Sequence, residues 1–156
     1  MFLYLVQHGE AVPESENPDR PLTPAGRSDV ERMGGFFAQV GLKVPLVVHS
    51  GKLRSADTAQ LLAAAMGGTA KLAERARILP GDSPEWLADD IAAWHEDTMV
   101  VGHQPFIAKL VSRLILGKES PVVVDVTPGT VVCLARRSAS RAWLIAWMLP
   151  PILFRG

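Results

Sequence analysis

"FLYLVQHGEAV", residues 2–12, is the stretch of sequence that decides the fold of this chain. The apolar and aromatic run Phe2–Val6 is short and nearly uninterrupted, which predicts a buried strand. The run ends in Gln7-His8-Gly9-Glu10, where polar side chains surround a glycine. His8 is therefore either an ordinary residue that follows a strand or the group that this strand presents to a ligand.

Composition limits the classes of protein to which the chain can belong. Its 156 residues fit a single domain over residues 1–156, with a core large enough to be stable without disulfides. Lys and Arg number 16 and Asp and Glu number 16, so the formal net charge is zero. We therefore expect neither nucleic acid nor an anionic membrane surface as a partner, and any charge that matters must be local.

The apolar segments of the chain predict a cytoplasmic protein. Phe2–Val6 is too short for a secretory signal and has no basic residue before it. The run "AWLIAWMLPPILF", residues 142–154, is shorter than the ~20 residues that span a bilayer, and prolines interrupt it. We interpret it as an edge strand and a tail packed on the core. The lone cysteine, Cys133, fits a reducing compartment and is expected to be a small buried residue.

Short apolar runs alternate with helical patterns along the chain. "FLYLV", "PLVVH" and "TMVVG" predict buried strands, because their continuous apolar character suits strands covered on both faces. Thr23-Pro24 begins a helix that Gly41 ends, and Ser50 caps a second helix that runs from about 51 to 66. Ser83-Pro84 and Pro105 open two more, the last ending at Gly117. The predicted inner faces are Val30, Met33, Phe37 and Val40 in the first helix, Leu53, Ala56, Leu61 and Ala65 in the second, and Phe106, Leu110 and Leu114 in the last.

The C-terminal part of the chain changes from this alternation to extended segments. "VVVDVTPGTVVCLARR" (122–137) and "RAWLIAWML" (141–149) predict two strands joined by the turn "RSASR" (137–141). The fold class is therefore α/β: a three-layer sandwich whose mostly parallel sheet has helices on both faces, with an antiparallel C-terminal hairpin.

Three predicted parallel strands end in residues that carry chemistry. The first ends in Gln7-His8, the second in His49-Ser50 with Arg54 soon after, and the third in Gly102-His103. Ligands of open α/β sheets bind just beyond the carboxyl ends of the strands. We therefore expect His8, Arg54 and His103 to converge on one crevice.

The residue types at this crevice suit a tetrahedral oxyanion. The strand ends at Ser50 and Pro105 lead into helix N-termini, whose free N–H groups favour anions. Arg54 adds a planar fork for phosphate oxygens, and Arg20, just before another helix, can close over the same anion. Each residue alone also has an ordinary explanation: a structural histidine, a solvated arginine, or, for Glu10, an acceptor of a backbone N–H.

Four stretches taken in order resemble the motifs of the histidine phosphatase superfamily, which has the phosphoglycerate mutase-like fold. They are "VQHGEA", "RPLTPAGR", "HSGKLRSADTAQLL" and "VVGHQPF", and the small SixA-type phosphohistidine phosphatases are the most similar branch. The resemblance spans residues 1–116. It includes Ser50, Arg54 and Thr58 in the third motif and Gly102, His103 and Pro105 in the fourth.

This resemblance implies a covalent phosphatase mechanism. His8 would attack phosphorus, and water would then release phosphate from the enzyme. His103, Arg54 and Arg20 would stabilise charge on the transferred group, and fixed cations would make a metal or another cofactor unnecessary. The phosphate-binding set implied by the motifs is Arg20, Gln7, Gly9 and Ser50.

Two features depart from the family pattern. Gln7 stands where the family has arginine, and glutamine brings neither a charge nor a fork. The proton donor is not specified, and the candidates are Asp82, Glu85 and Glu10. A short chain without an inserted lid implies an open site, which suits phosphohistidine displayed on a partner of the histidine phosphotransfer type.

Three alternatives to this function remain open. Gln7 is compatible with a catalytically weak phosphate-binding or signalling module, and the site is also compatible with a phosphomonoesterase for small phosphorylated molecules. A metal hydrolase using His8, Glu10 and either His49 or His103 is a further possibility. "HGE" matches the His-x-Glu of zinc deaminases, but the downstream Cys-x-x-Cys of those enzymes is missing.

Overall fold

Within residues 1–137 and 142–155, which the computed structural model describes, six strands and four helices are present. They follow the order β1 (Phe2–Gln7), α1 (Pro24–Gln39), β2 (Leu46–His49), α2 (Leu53–Ala65), β3 (Lys71–Glu74), α3 (Glu85–Ala92), β4 (Thr98–Gly102), α4 (Phe106–Leu116), β5 (Val131–Arg136) and β6 (Trp143–Leu149), and a 3-10 turn, Pro151–Phe154, follows β6.

The strands form one mixed sheet in the order β3-β2-β4-β1-β5-β6. The first four in this order are parallel, whereas β5 pairs antiparallel with β1 and with β6. Gln7 lies opposite Gly102 in the β1–β4 register, so these two strands end at the same level. The predicted α/β class and the antiparallel C-terminal hairpin are confirmed.

Side chains of the central strands alternate between two apolar layers. Leu3 and Leu5 of β1 face a core completed by α3 and α4, whereas Tyr4 and Val6 face a core completed by α1 and α2. Burial on both faces explains why the strand sequences are continuously apolar. The sheet is thereby packed on both faces.

The termini of α1 and α4 follow local sequence signals. The Thr23 hydroxyl accepts from the Gly26 N–H at 2.9 Å, and Pro24 occupies the first turn. Gly41 and Gly117 adopt positive φ angles of 68° and 74° just after the two helices, a conformation that glycine adopts without a steric penalty. Val40 nevertheless lies beyond the end of α1 and is 58% exposed, so its predicted place on the inner face is wrong.

The prediction for α2 is wrong in two respects. Ser50 is not its cap: Gly51 turns the chain at φ 79°, and the helix begins two residues later, after Lys52. The buried face is also different, because Leu53 is exposed and Ala56, Leu61 and Ala65 are only partly buried. The apolar residues of α2 do not mark its buried side, because that side also carries polar residues that reach the strand ends. It consists of Arg54, Ser55, Thr58, Ala59, Leu62 and Ala63.

Two further differences concern strands. β3 was not predicted, since its residues are mostly exposed and carry no apolar run. Residues 122–126 are not a strand; β5 begins only at Val131, after the Thr127–Gly129 turn. Most of the predicted "RSASR" turn lies outside the described residues.

The C-terminal segment forms the edge of the sheet and then returns to the core. β6 is the last strand in the sheet order, and the tail packs Phe154 against Phe36 of α1, with ring centroids 5.1 Å apart. Cys133 is buried, and burial raises the pKa of its thiol to about 12, as expected for a small core residue. Among the helices of the described residues, none is long and apolar enough to cross a membrane.

Candidate active site

Two imidazoles meet where the neighbouring strands β1 and β4 end. The ring centroids of His8 and His103 are 5.0 Å apart, and the two residues are 8% and 1% exposed. The His8 N–H donates to the Gly102 carbonyl at 3.0 Å, which ties the two strand ends together. The convergence of these histidines follows from the parallel pairing of their strands.

The hydrogen bonds of His8 leave one ring nitrogen available as a nucleophile. Its Nδ1 donates to the Gly9 carbonyl at 2.7 Å, since a carbonyl can only accept. The other nitrogen, Nε2, then carries a lone pair and accepts from Arg54 Nε at 3.2 Å. Nε2 is the atom from which His8 can attack an electrophile.

Both histidines are electrically neutral near pH 7. Burial lowers the pKa of His8 from 6.5 to about 4, and the cations Arg54 and Arg20 lower it further, against the bond to Gly9. Burial likewise lowers the pKa of His103 to about 3, helped by His8 and the same arginines. His8 is thereby kept in the form that can act as a nucleophile.

Ser50 contacts His103 rather than capping a helix. Its Oγ lies 2.6 Å from His103 Nε2 and also accepts from the Lys52 N–H at 3.4 Å. Which of the two atoms donates depends on the tautomer of His103. His103 Nδ1 is buried and has no hydrogen-bond partner within the described part of the chain.

Arg54 and Arg20 supply the positive charge of the site. Both line an open pocket of about 270 Å³ together with His8 and His103. Arg54 is 8% exposed, and burial lowers its pKa, with Arg20 as a second cause. Arg20 adopts φ 49° and donates from Nε to the Val12 carbonyl at 3.1 Å, which fixes its loop beside the pocket. Two close cations favour an anion between them.

Of the predicted phosphate-binding residues Gln7 and Gly9, Gln7 lines this pocket and Gly9 does not. The Oε1 atom of Gln7 is buried with no hydrogen-bond partner among the residues described. At Gly9 a Cβ would lie 2.8 Å from Val30 Cγ2 and 3.1 Å from the Gly26 carbonyl oxygen, so a side chain would push the loop away from α1. Glycine therefore permits the close approach that places His8.

Of the three candidate proton donors, only Glu10 lies at the pocket. Glu10 lines it and accepts from the Thr23 hydroxyl at 2.8 Å. Asp82 accepts from the Leu79 N–H at 2.8 Å, and Glu85 pairs with Arg113 at 3.0 Å. Neither Asp82 nor Glu85 is among the residues that line the pocket. Asp82 bonds within the loop before α3, and Glu85 lies in the first turn of that helix.

Several pocket residues carry no signal in the sequence. Pro80 precedes α3, and Pro128 belongs to a turn whose Gly129 N–H donates to the carbonyls of Gln7 and His8, at 3.0 and 3.1 Å. Both reach the pocket only through tertiary packing. Among residues 1–137 and 142–155, no group of three or more His, Cys, Asp or Glu side chains is placed to hold a metal ion.

We expect the neutral histidines to make folding stability depend on pH. His8 has a pKa of about 4 in the folded chain and 6.5 as a model value, so the unfolded chain binds the proton more readily. The free energy of unfolding should therefore fall as pH drops from 6.5 towards 4, by about 2 kcal/mol for one such histidine at pH 5. Urea titrations at several pH values measure this fall.

Two histidine variants provide the test and its control. On acidification, the free energy of unfolding of His8→Gln should fall less than that of wild type, whereas that of the exposed-site variant His95→Gln should fall as much as that of wild type. An equal fall in wild type and His8→Gln would refute the prediction.

Comparisons with known proteins identify similar sequences and similar folds. The family model of the histidine phosphatase superfamily (branch 1) matches residues 3–78. An uncharacterized protein from Picosynechococcus sp. is 29% identical over 129 residues, which cover 76% of this chain and 75% of that protein. The human mitochondrial serine/threonine-protein phosphatase PGAM5 is 31% identical over 101 residues, and the match covers 61% of this chain but only 35% of PGAM5. The solved structure of the protein histidine phosphatase SixA with tungstate has a TM-score of 0.86 at 18% identity, and covers 99% of this chain and 100% of that one.

The fold is that of the phosphoglycerate mutase-like α/β phosphatases. The match to the histidine phosphatase superfamily covers just under half of this chain. The matched residues include His8, Arg20 and Arg54, whereas the motif around His103 lies beyond them, so the placement of His103 rests on geometry.

Proposed function

We propose that the protein removes phosphate from phosphohistidine on a partner protein, through a phosphorylated His8. One observation carries this proposal: the unprotonated Nε2 of His8 opens on a pocket that Arg54 and Arg20 also line. A nucleophile beside two fixed cations is what phosphoryl transfer requires of a protein.

The reaction would proceed in two displacements. The lone pair of His8 Nε2 forms a bond to phosphorus while the bond to the substrate imidazole breaks, and that imidazole leaves with the electron pair and takes up a proton. Water then attacks phosphorus and loses a proton while the bond between phosphorus and His8 Nε2 breaks; the electron pair returns to Nε2, inorganic phosphate leaves and neutral His8 is restored. Arg54, Arg20 and His103 stabilise the equatorial oxygens in both steps.

The shape of the site favours a phosphate carried by a protein. A second cleft of about 560 Å³ shares Arg20 and Arg54 with the pocket and lies open to the surface. A histidine displayed on a partner can enter such a site without closure of a lid. An imidazole also leaves more readily than an alkoxide, so the reaction needs less from a proton donor, for which Glu10 is the candidate at hand.

Rates on three substrates test this proposal. We expect phosphate release from a phosphohistidine-bearing phosphotransfer domain to exceed release from a phosphoserine peptide and from a small alkyl phosphate by at least about 100-fold in kcat/KM. PGAM5 is described as a serine/threonine-protein phosphatase, so preference for the phosphoserine peptide is the competing outcome. Such a preference, or one for the alkyl phosphate, would overturn the assignment of phosphohistidine.

Gln7 supports a second candidate function, a phosphate-binding module that turns over poorly. We expect Gln7→Arg to speed hydrolysis of an alkyl phosphate by about 100-fold, because a charged donor to the transition state contributes about 3 kcal/mol. Hydrolysis of phosphohistidine should rise less than about tenfold, since its leaving group needs less help. Steady-state phosphate release by both proteins measures these ratios. A gain of 100-fold on phosphohistidine as well would contradict the phosphatase proposal and favour the module.

A further inference from the structure

A buried threonine on α2 joins the two groups on which the proposed reaction depends. Thr58 has no exposed surface, and both hydrogen bonds of its hydroxyl are internal. Oγ1 donates to the Arg54 carbonyl at 2.7 Å and accepts from the Gly9 N–H at 3.0 Å. One side chain therefore connects the glycine after the nucleophile to the first turn of α2.

Together with two hydrogen bonds of the site, these two bonds form a closed series of four hydrogen bonds. His8 Nδ1 donates to the Gly9 carbonyl, and Arg54 Nε donates to His8 Nε2. The hydrogen-bonded ring thus consists of His8, Gly9, Thr58 and Arg54, and each of its side-chain donors has one acceptor. Hydrogen bonds that are linked in this way in a buried site strengthen one another.

The sheet does not itself fix the position of Arg54 relative to His8. His8 follows β1 and Arg54 follows β2, and β4 lies between these strands. The segments that carry His8 and Arg54 are therefore not joined directly by backbone hydrogen bonds between strands. They are joined instead by the hydrogen-bonded ring. Thr58 is suited to this task, because its bond to the carbonyl four residues earlier fixes its rotamer and directs the oxygen lone pairs towards Gly9.

We propose that Thr58 is a positioning residue that sets the geometry between His8 and Arg54 and holds His8 as the Nδ1–H tautomer. It acts through the Gly9 backbone, which receives the Nδ1 proton of His8, and through the backbone of Arg54, whose side chain faces Nε2. Without the Thr58 hydroxyl, the Gly9 N–H is left buried and unpaired, and the loop that carries the nucleophile can shift from α2.

A pair of isosteric and conservative variants tests this role. Thr58→Val keeps the shape of the side chain but removes both bonds, and Thr58→Ser keeps both bonds. We expect Thr58→Val to lower the single-turnover rate of His8 phosphorylation by phosphoramidate about 10- to 100-fold, because small misplacements of reacting groups are costly. Thr58→Ser should remain within about threefold of wild type, since its hydroxyl can make the same bonds.

A matched control and a spectroscopic readout separate positioning from simple loss of stability. Ser112 on α4 is equally buried and accepts from the Val123 N–H at 3.1 Å, so Ser112→Ala removes a comparable bond away from the pocket. It should leave the rate unchanged. Long-range ¹H–¹⁵N spectra at pH 7 should show His8 protonated at Nδ1 in wild type and Thr58→Ser, but a mixture of tautomers in Thr58→Val.

The outcomes are distinct from those of the proposed function. A rate for Thr58→Val within about threefold of wild type, an equally slow Thr58→Ser, or an unchanged tautomer in Thr58→Val would each overturn the role of Thr58. If Thr58→Val fails to fold, the rate of His8 phosphorylation in Thr58→Ser should exceed the rate in Thr58→Ala at least about tenfold. Equal rates in these two variants would overturn the role of Thr58. The rate measurements rest on the proposed function, whereas the tautomer spectra do not. If wild type transfers no phosphate at all, the proposed function fails, and the spectra still decide the role of Thr58.

Discussion

Replacement of His8 by alanine is expected to lower phosphate release from phosphohistidine by at least about 10⁴-fold, because the variant has no atom that can form the bond to phosphorus. The fold should persist, since His8 contributes one buried side chain at a strand end. The measurement is steady-state phosphate release together with ³²P label retained on the protein after an alkaline quench. Wild type should carry acid-labile, base-stable label during turnover.

The control for this variant is another histidine of the chain. His95 is exposed and lies after α3, so His95→Ala should retain both activity and label. Label that persists in His8→Ala would show that another residue accepts the phosphoryl group, and it would remove His8 from the mechanism.

Replacement of Arg54 by methionine is expected to lower kcat/KM by about 10²- to 10³-fold. Arg54 donates to His8 Nε2 and lines the pocket, so its loss removes a fixed positive charge from the transition state. Stability should not fall in proportion, because a buried guanidinium whose pKa is lowered by desolvation is itself a cost to the fold. Kinetics and urea unfolding of the same protein measure the two effects.

A control variant at another arginine shows whether the loss of kcat/KM is specific to the candidate site. Arg27 lies on α1, is half-exposed and pairs with Glu31 at 3.7 Å, so Arg27→Met should keep its activity. A large loss of stability in Arg54→Met with unchanged activity per folded molecule would make Arg54 a structural residue and refute its assignment to the site.

The fold could be predicted from the sequence wherever burial and local capping agree. Continuous apolar runs identify β1, β2 and β4, since each is covered on both faces, and Thr23 and Gly117 mark helix ends by their side-chain or backbone chemistry. β3 could not be found, because it is a short edge strand that pairs only with β2 and whose residues remain mostly exposed. Its position is set by pairing with a neighbour, which no local pattern records.

The residues of the candidate site also differ in how far the sequence predicts them. The convergence of His8, Arg54 and His103 follows from parallel strands ending at one edge of a sheet. The contact of Ser50 with His103 could not be read from the sequence, because it depends on the turn at Gly51 that delays the start of α2. The buried polar face of α2 was missed for a related reason: its residues are buried to serve the site, against the preference of polar side chains for solvent.

The binding of one tetrahedral oxyanion by residues from separate parts of the chain is the central claim, and a crystal structure with tungstate tests it most directly. We expect the anion in the pocket lined by His8 and His103, with His8 Nε2 facing the tungsten atom and with Arg54, Arg20 and a ring nitrogen of His103 within about 3 Å of its oxygens. Tungstate bound elsewhere, or an empty pocket at saturating tungstate, would contradict the account.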